Sequence, residues 1–216
     1  MQAGPLAMPF STRMTLVRLP GGALWVHSPI APDPALFAEI EALGTVGWLV
    51  APNTLHYWWI PDWKARYTAA AVCAPPAVAA KAKRPITIHL PLTGDPPEAW
   101  QDVFTQVVLT SRIFTEADFF HRPSRTLILA DLIENFEARR VHNPFYRLLM
   151  RLGGVLDPDG KMPIDMQASF RANRAEVRKA VQAMLDWAPE RIILAHGRCY
   201  EKGAVAELRR AFRWIL

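Results

Sequence analysis

Three short apolar runs in this 216-residue chain each lead to a side chain of a type that commonly binds metal ions. The runs are VGWLV at 46–50, TLILA at 126–130 and IILA at 192–195. Their continuous apolar character is typical of strands that are buried on both faces. His56 follows the first run after a loop, whereas Asp131 and His196 directly follow the other two. Because connecting loops converge at the carboxyl ends of such strands, the pattern predicts an α/β fold with a polar site at one sheet edge.

The rest of the chain alternates further short strands with helices, without a repeat or an internal linker. We expect one domain over residues 14–216, preceded by a flexible N-terminal arm over residues 1–13. Strands are predicted at 14–19, 23–27, 46–50, 70–73, 86–90, 104–109, 118–121, 126–130 and 191–194. Helices are predicted at 33–43, from about 57, at 76–81, 143–152 and 165–187, and from 204 onward.

Missing motifs narrow the function classes. Cys73 and Cys199 form no CxxC pair, so we expect neither a disulfide framework nor a thiolate zinc site. The sequence contains no GxSxG, GxGxxG or HExxH motif. The common signatures of lipase-type serine hydrolases, dinucleotide-binding folds and zincin proteases are therefore excluded.

Charge and hydropathy predict a cytoplasmic protein. The longest stretch without a charged residue, 42–61, is interrupted by Pro52, so we expect no membrane insertion. The net charge is +5, and Arg171, Arg174 and Arg178 share one face of a predicted helix. That face could bind an anion, although such clusters are usually solvated. Because no nucleic-acid-binding module signature is present, nucleic acid is not an expected partner.

At its strand ends the sequence resembles the metallo-β-lactamase fold superfamily. VAPNTLH (50–56) stands where that superfamily has THxHxDH, LADL (129–132) where it has an aspartate, and LAHG (194–197) where it has a C-terminal histidine. The segments VAPNTLH, SRTLILADLIEN and RIILAHG resemble more closely an uncharacterised family of degenerate members, known only as a domain of unknown function. The resemblance implies an αββα four-layer sandwich, in which two mixed sheets lie between outer helices.

The same resemblance implies that the superfamily's two-metal site is incomplete. Ala51 and Asn53 stand at two histidine positions of the first metal, and no histidine occurs near the middle loop at 110–112. Imidazole is a good zinc ligand, whereas a methyl group cannot bind a metal and an amide binds it poorly. Leu55 stands at the aspartate position of the second metal. The resemblance therefore implies that the first metal site is lost and that the second lacks one ligand.

His56, Asp131 and His196 match the remaining three ligand positions of the second metal. Two imidazoles and one carboxylate can hold one divalent ion such as zinc, iron or manganese, with positions left open for water or substrate. Without a metal, the Asp131 carboxylate would instead hydrogen bond to both histidines in a buried polar cluster. Either way, the carboxylate should lie within about 5 Å of a nitrogen of each imidazole.

Two function hypotheses follow from this site. The first is a degenerate metallo-β-lactamase-like protein that has lost the dinuclear zinc centre and keeps at most a single-metal, hydrolase-like site. The alternative is a non-catalytic ligand-binding or protein-interaction module that uses the same cleft. In both cases we expect Asn53, Tyr57 and Trp58 to line a pocket for a small molecule. The sequence leaves open whether the chain forms a homo-oligomer.

Overall fold

A computed structural model of the chain describes residues 11–216, and its strands form two sheets. The first sheet contains, in spatial order, β1 (Thr15–Arg18), β2 (Ala23–His27), β3 (Thr45–Val50), β4 (Ala71–Ala74) and β5 (Leu90–Pro91). The second contains β6 (Phe104–Thr110), β7 (Thr115–His121), β8 (Thr126–Leu129) and β9 (Arg191–Leu194). Both sheets are mixed: β1 is antiparallel to β2 in an otherwise parallel first sheet, and only β8 and β9 are parallel in the second.

Helices lie between and after the strands along the chain. They are α1 (Pro34–Leu43), α2 (Ile60–Arg66), α3 (Pro76–Lys81), α4 (Pro144–Gly153), α5 (Ile164–Ser169), α6 (Arg174–Asp186) and α7 (Ala204–Ala211). One core lies between the first sheet and α1 to α3, and another lies between the second sheet and α6 and α7. A third core fills the space between the sheets, where Trp25 contacts Phe104 and Phe119. This layering confirms the predicted αββα sandwich.

The long helix at 165–187 and the strand at 86–90 are among the predicted elements that differ from the structure. The predicted helix is divided into α5 and α6 at Phe170, where the backbone leaves the α-helical conformation with ψ of 0°. The Phe170 ring is fully buried and packs edge-on against Phe114. The strand predicted at 86–90 is reduced to β5, at the edge of the first sheet. There the His89 ring nitrogen Nδ1 accepts a hydrogen bond from the Val72 backbone, in addition to the backbone bond between the same residues.

Most of the predicted N-terminal arm, residues 1–10, lies outside the described residues. Within the described part, the Arg13 backbone N–H donates to Ala195 (2.8 Å), and its guanidinium donates to the carbonyls of Leu194 and Gly197. Residues 11–13 are therefore bonded to the segment that follows β9. Among residues 11–216, no helix has the length and apolar character needed to cross a membrane.

Candidate metal centre

The second sheet places Asp131 and His196 side by side. Its parallel strands β8 and β9 pair Leu129 with Leu194, and each polar residue follows two positions later. Because each polar residue lies two positions after a residue of the same pair, both side chains lie at the same edge of the sheet. Gly197 follows with φ of 76°, and a Cβ there would lie 1.9 Å from the Asn135 carbonyl oxygen. The glycine of LAHG is therefore required for the close approach of these two segments.

The loop after β3 brings His56 across from the first sheet. The Ala117 backbone N–H, on β7 of the second sheet, donates to the Pro52 carbonyl at 2.9 Å. Asn53 and Glu116 form an isolated antiparallel bridge directly beside that bond. The two sheets are thus joined at the edge where the site forms, and His56 reaches the ends of β8 and β9.

Three ligand-type atoms meet at this edge. The Asp131 Oδ1 atom lies 3.2 Å from His56 Nε2 and 3.0 Å from His196 Nε2, and the two Nε2 atoms are 3.1 Å apart. All three residues are buried. These distances agree with the limit of about 5 Å expected from the sequence. A tetrahedral zinc ion with bonds of about 2.0–2.1 Å sets its ligands about 3.3 Å apart, so the spacing suits one metal ion.

In both histidines, the ring nitrogen that faces away from Asp131, Nδ1, contacts an oxygen atom. The His196 Nδ1 atom lies 2.8 Å from the Ser11 carbonyl, which can only accept, so this nitrogen must carry a proton. In the neutral ring Nε2 then presents a lone pair toward the Asp131 carboxylate. His56 Nδ1 lies 2.5 Å from Ser28 Oγ. Proteins usually orient a metal-binding histidine through a hydrogen bond between its other ring nitrogen and an oxygen atom. The donor set therefore fits a divalent cation.

The buried Asn53 side chain links His56 to Asp131. Its Nδ2 donates at 2.7 Å to both Asp131 Oδ2 and Glu116 Oε2, and its Oδ1 accepts from the backbone N–H groups of Leu55 and His56 at 2.9 Å. An amide has two donor hydrogens and two acceptor lone pairs, so every bond that Asn53 can make is made. Because Oδ2 of Asp131 is bonded to Asn53, only Oδ1 faces the histidines.

Glu116 orients the turn that carries Asp131, and sequence reasoning missed this residue. Its fully buried carboxylate accepts from the backbone N–H groups of Ala130, Asp131 and Leu132 at 2.9–3.1 Å. The predicted strand began only at 118, whereas β7 begins at Thr115 and includes Glu116. The one available signal was an acid flanked by strand residues, and acids in such positions are usually exposed.

Comparison with known proteins supports the fold and a family. Residues 3–143 match the family model described as "Domain of unknown function (DUF4336)". The chain belongs to the DUF4336 family. The matched range includes His56 and Asp131 but ends before His196. The chain matches no curated protein.

Solved structures that resemble this DUF4336 protein have the metallo-β-lactamase fold, and so does the chain. A metallo-β-lactamase from Pseudomonas aeruginosa, solved in its mono-zinc form, is 13% identical with a TM-score of 0.56, over 95% of this chain and 85% of that one. A protein solved in a di-iron-bound form is 15% identical with a TM-score of 0.59, over 97% and 96%. Rubredoxin oxygen:oxidoreductase from Desulfovibrio gigas is 11% identical with a TM-score of 0.63, over 96% of this chain and 55% of that one.

Neighbouring charges shift the pKa values of the site residues in the DUF4336 protein. Burial alone would raise the pKa of Asp131, yet the neighbouring His56 and His196 hold it below its usual range. Burial by itself would lower the pKa of His196, but the hydrogen bond to Asp131 raises this pKa to about 9. Burial, followed by the Asp131 charge, raises the pKa of Glu134 to about 8. Asp131 and His196 therefore stabilise each other's charged forms.

The residues expected to line a pocket occupy different environments. Tyr57 is buried in the core beneath the first sheet, and its hydroxyl accepts from the Lys83 backbone N–H at 2.7 Å. Trp58 is half-buried, and the Arg84 guanidinium lies 5.7 Å from its ring. Asn53 lies within the polar network itself. Their assignment to a substrate pocket stays a prediction.

Two of the three arginines on the face considered from the sequence bond to the chain's own C-terminal segment. Arg174 donates to the Trp214 carbonyl at 2.9 Å, and Arg178 donates to the Ile215 carbonyl at 2.7 Å. These bonds hold the last turn of the chain against α6. The two guanidinium groups therefore have a structural role in the fold.

The burial of His27 predicts a stability that depends on pH. The ring is buried, stacks on Trp25 at 5.4 Å and has an Nε2 atom without a hydrogen bond to any described residue. Burial, reinforced by the charge of His56, lowers its pKa to about 3. Since the unfolded chain binds a proton below about pH 6.5, the contribution of His27 to stability is present above that pH and is lost as the pH falls toward 3.

We expect His27→Phe to reduce this acid sensitivity. Between about pH 7 and pH 4.5, wild type should lose roughly 2–3 kcal/mol of unfolding free energy relative to the variant. Urea unfolding followed by tryptophan fluorescence at several pH values measures the difference. His142→Gln, at an exposed position, is the control and should parallel wild type. Parallel curves for wild type and His27→Phe would contradict the prediction.

Proposed function

We propose that this protein holds one divalent metal ion at His56, Asp131 and His196 and acts as a metal-dependent, hydrolase-like enzyme. The observation that carries the proposal is the convergence of Oδ1 and two Nε2 atoms within 3.0–3.2 Å. The outer nitrogens of both rings are engaged by Ser28 and Ser11, as in oriented metal ligands. The similar structures solved with one zinc or two iron ions support this choice of ligand class.

The Asn53 network supports a centre with a single metal. The amide nitrogen lies between Asp131 Oδ2 and Glu116 Oε2, where it supplies two hydrogen-bond donors to two carboxylates. Ala51, on the same loop, is buried and has no ligand atom. The chain thus satisfies the outer oxygen of Asp131 with its own amide, so a second ion is not needed there.

We infer hydrolytic chemistry for such a site. A divalent ion held by two imidazoles and one carboxylate would polarise a carbonyl or phosphoryl oxygen and lower the pKa of a bound water. Asn53 and Glu116 keep the Asp131 carboxylate in one orientation through their hydrogen bonds. Glu134, with a pKa of about 8, is a nearby carboxyl group able to hold a proton near neutral pH.

Metal titration tests the proposal. Chelator-treated protein should take up about one equivalent of Zn²⁺ or of Co²⁺, the latter followed by its visible absorption. His196→Ala should weaken this binding by more than about 100-fold, because a direct ligand is lost. His142→Ala removes an exposed histidine and should leave binding unchanged. Binding of two equivalents, or equal binding by wild type and His196→Ala, would overturn the single-metal site.

The alternative function has its own supporting observation. Since the pKa of His196 is raised to about 9, a proton can take the place of the metal between Asp131 and the rings at neutral pH. The cluster would then be a buried ion pair in a non-catalytic binding module. Failure of wild type to bind Zn²⁺, Co²⁺, Fe²⁺ or Mn²⁺ at micromolar concentration would favour this alternative.

A further inference from the structure

Helix α4 exposes an apolar stripe that neither the fold nor the proposed metal site explains. Phe145, Leu148, Leu149 and Leu152 are 42–64% exposed. They occupy positions i, i+3, i+4 and i+7, so they lie on one face of the helix. Among the described residues, these four make up almost half of the nine large apolar side chains that are exposed. We refer to these four residues as the apolar stripe.

A different face of α4 holds the helix on the protein. Met150 is buried and Tyr146 half-buried, and both pack in a small cluster with Phe136, Val141 and Val155. Asn143 accepts from the Phe145 backbone at the N-terminus, and Gly154 ends the helix in the left-handed conformation with φ of 73°. The helix is therefore capped and anchored independently of the apolar stripe.

The flank of the apolar stripe is basic. Segment 138–153 contains four arginines, at 139, 140, 147 and 151, and no aspartate or glutamate. Arg139 and Arg140 are paired with Glu137, and the Arg147 guanidinium donates to the Val141 carbonyl, whereas Arg151 forms no salt bridge within the described residues. Arg147 and Arg151 line a groove of about 580 Å³ beside α4, whose other wall carries Asp157 and Asp159. Asp157 itself lies 3.7 Å from Arg198.

We propose that α4 docks this protein on the surface of an anionic lipid bilayer. A helix that lies in a membrane interface presents an apolar stripe to the acyl chains and arginines to the headgroups. Arginine stems can extend along apolar surface while their charged ends reach phosphate groups. A neutral apolar partner would not require the excess of arginine over acidic residues in segment 138–153, or Arg151, which has no acidic partner within the described residues. The chain would bind peripherally, since no described helix can cross the bilayer.

Vesicle co-sedimentation tests this surface. The full chain should bind phosphatidylcholine vesicles that contain phosphatidylglycerol and bind pure phosphatidylcholine much more weakly. Leu148→Ser/Leu152→Ser should weaken binding to the anionic vesicles by more than about tenfold, because two apolar side chains no longer enter the interface. Arg151→Gln should weaken it about fivefold, and added salt should weaken wild type in the same direction.

Matched controls separate α4 from general effects. Leu43→Ser removes a leucine of α1 that is 51% exposed, close to the 53% of Leu148, and should bind as wild type. Arg209→Gln removes an exposed arginine of α7 and serves the same purpose for charge. Circular dichroism should show that all variants are folded. No binding by wild type, or equal loss in Leu43→Ser, would overturn the proposal. So would a wild-type dimer that Leu148→Ser/Leu152→Ser makes monomeric without any vesicle binding.

Discussion

Asp131→Ala is expected to abolish stoichiometric metal binding. Within residues 11–216, the substitution removes the carboxylate oxygen that faces both Nε2 atoms, leaving two imidazoles to bind the ion. We expect the affinity for Zn²⁺ or Co²⁺ to fall by more than about 100-fold. Removing only a residue that hydrogen bonds to a metal ligand typically costs about 10–100-fold. Isothermal titration of chelator-treated protein measures this change, and Asp102→Ala, at an exposed position, is the control.

Unfolding measurements distinguish a metal site from a metal-free polar cluster. With free metal at about 100 times its Kd, wild type should gain about 2.7 kcal/mol of unfolding free energy over chelated protein, and Asp131→Ala should gain none. In chelator, the variant should still be about 1–3 kcal/mol less stable than wild type, because the Asn53 amide loses an acceptor. A metal-dependent gain in Asp131→Ala equal to that of wild type would contradict the ligand assignment.

Glu116→Ala is expected to cause the largest loss of stability. The side chain is fully buried and accepts from three successive backbone N–H groups and from the Asn53 amide. Alanine would leave these buried donors without partners, and each such donor costs about 1–3 kcal/mol. Since the donors share one acceptor and the turn can relax, we expect a total loss of about 3–5 kcal/mol. Urea unfolding in chelator measures it.

Glu116→Gln keeps the prediction testable if the alanine variant does not fold. Glutamine retains one carbonyl oxygen for the backbone N–H groups but turns an amide toward Asn53, so we expect a loss of about 1–2 kcal/mol. Glu176→Ala on the exposed face of α6 should change stability by less than about 0.5 kcal/mol. A loss below about 1 kcal/mol in a folded Glu116→Ala would show that the turn does not depend on this carboxylate.

Local chemistry explains the elements that sequence analysis predicted well. Asn143 and Pro144 begin α4 as expected, because an asparagine side chain caps the first turn and proline needs no donor there. The buried runs at 46–50, 126–130 and 191–194 form β3, β8 and β9, since their apolar side chains need cover on both faces. The distances among His56, Asp131 and His196 followed from the positions of the strand ends.

Burial by distant segments explains what sequence analysis missed. Two acids in β7, Glu116 and Asp118, are fully buried, although acids in a strand usually face water. Along that strand they share a face with Phe120, which packs in the core covered by α6 and α7. Their neighbours in space come from residues far along the chain, so no local pattern indicates that Glu116 bonds the turn at 130–132.

The sequence alone determined which residues end the buried strands and therefore which side chains could meet at one sheet edge, because strand position follows from local apolar pattern. Only the tertiary structure decided how those side chains are held. The resemblance implied that Asn53 stands where a metal ligand is lost. Its amide nevertheless makes four hydrogen bonds, to Glu116, Asp131 and the backbone N–H groups of Leu55 and His56. Such a network depends on the packing of one sheet against the other, which periodicity within single elements does not encode.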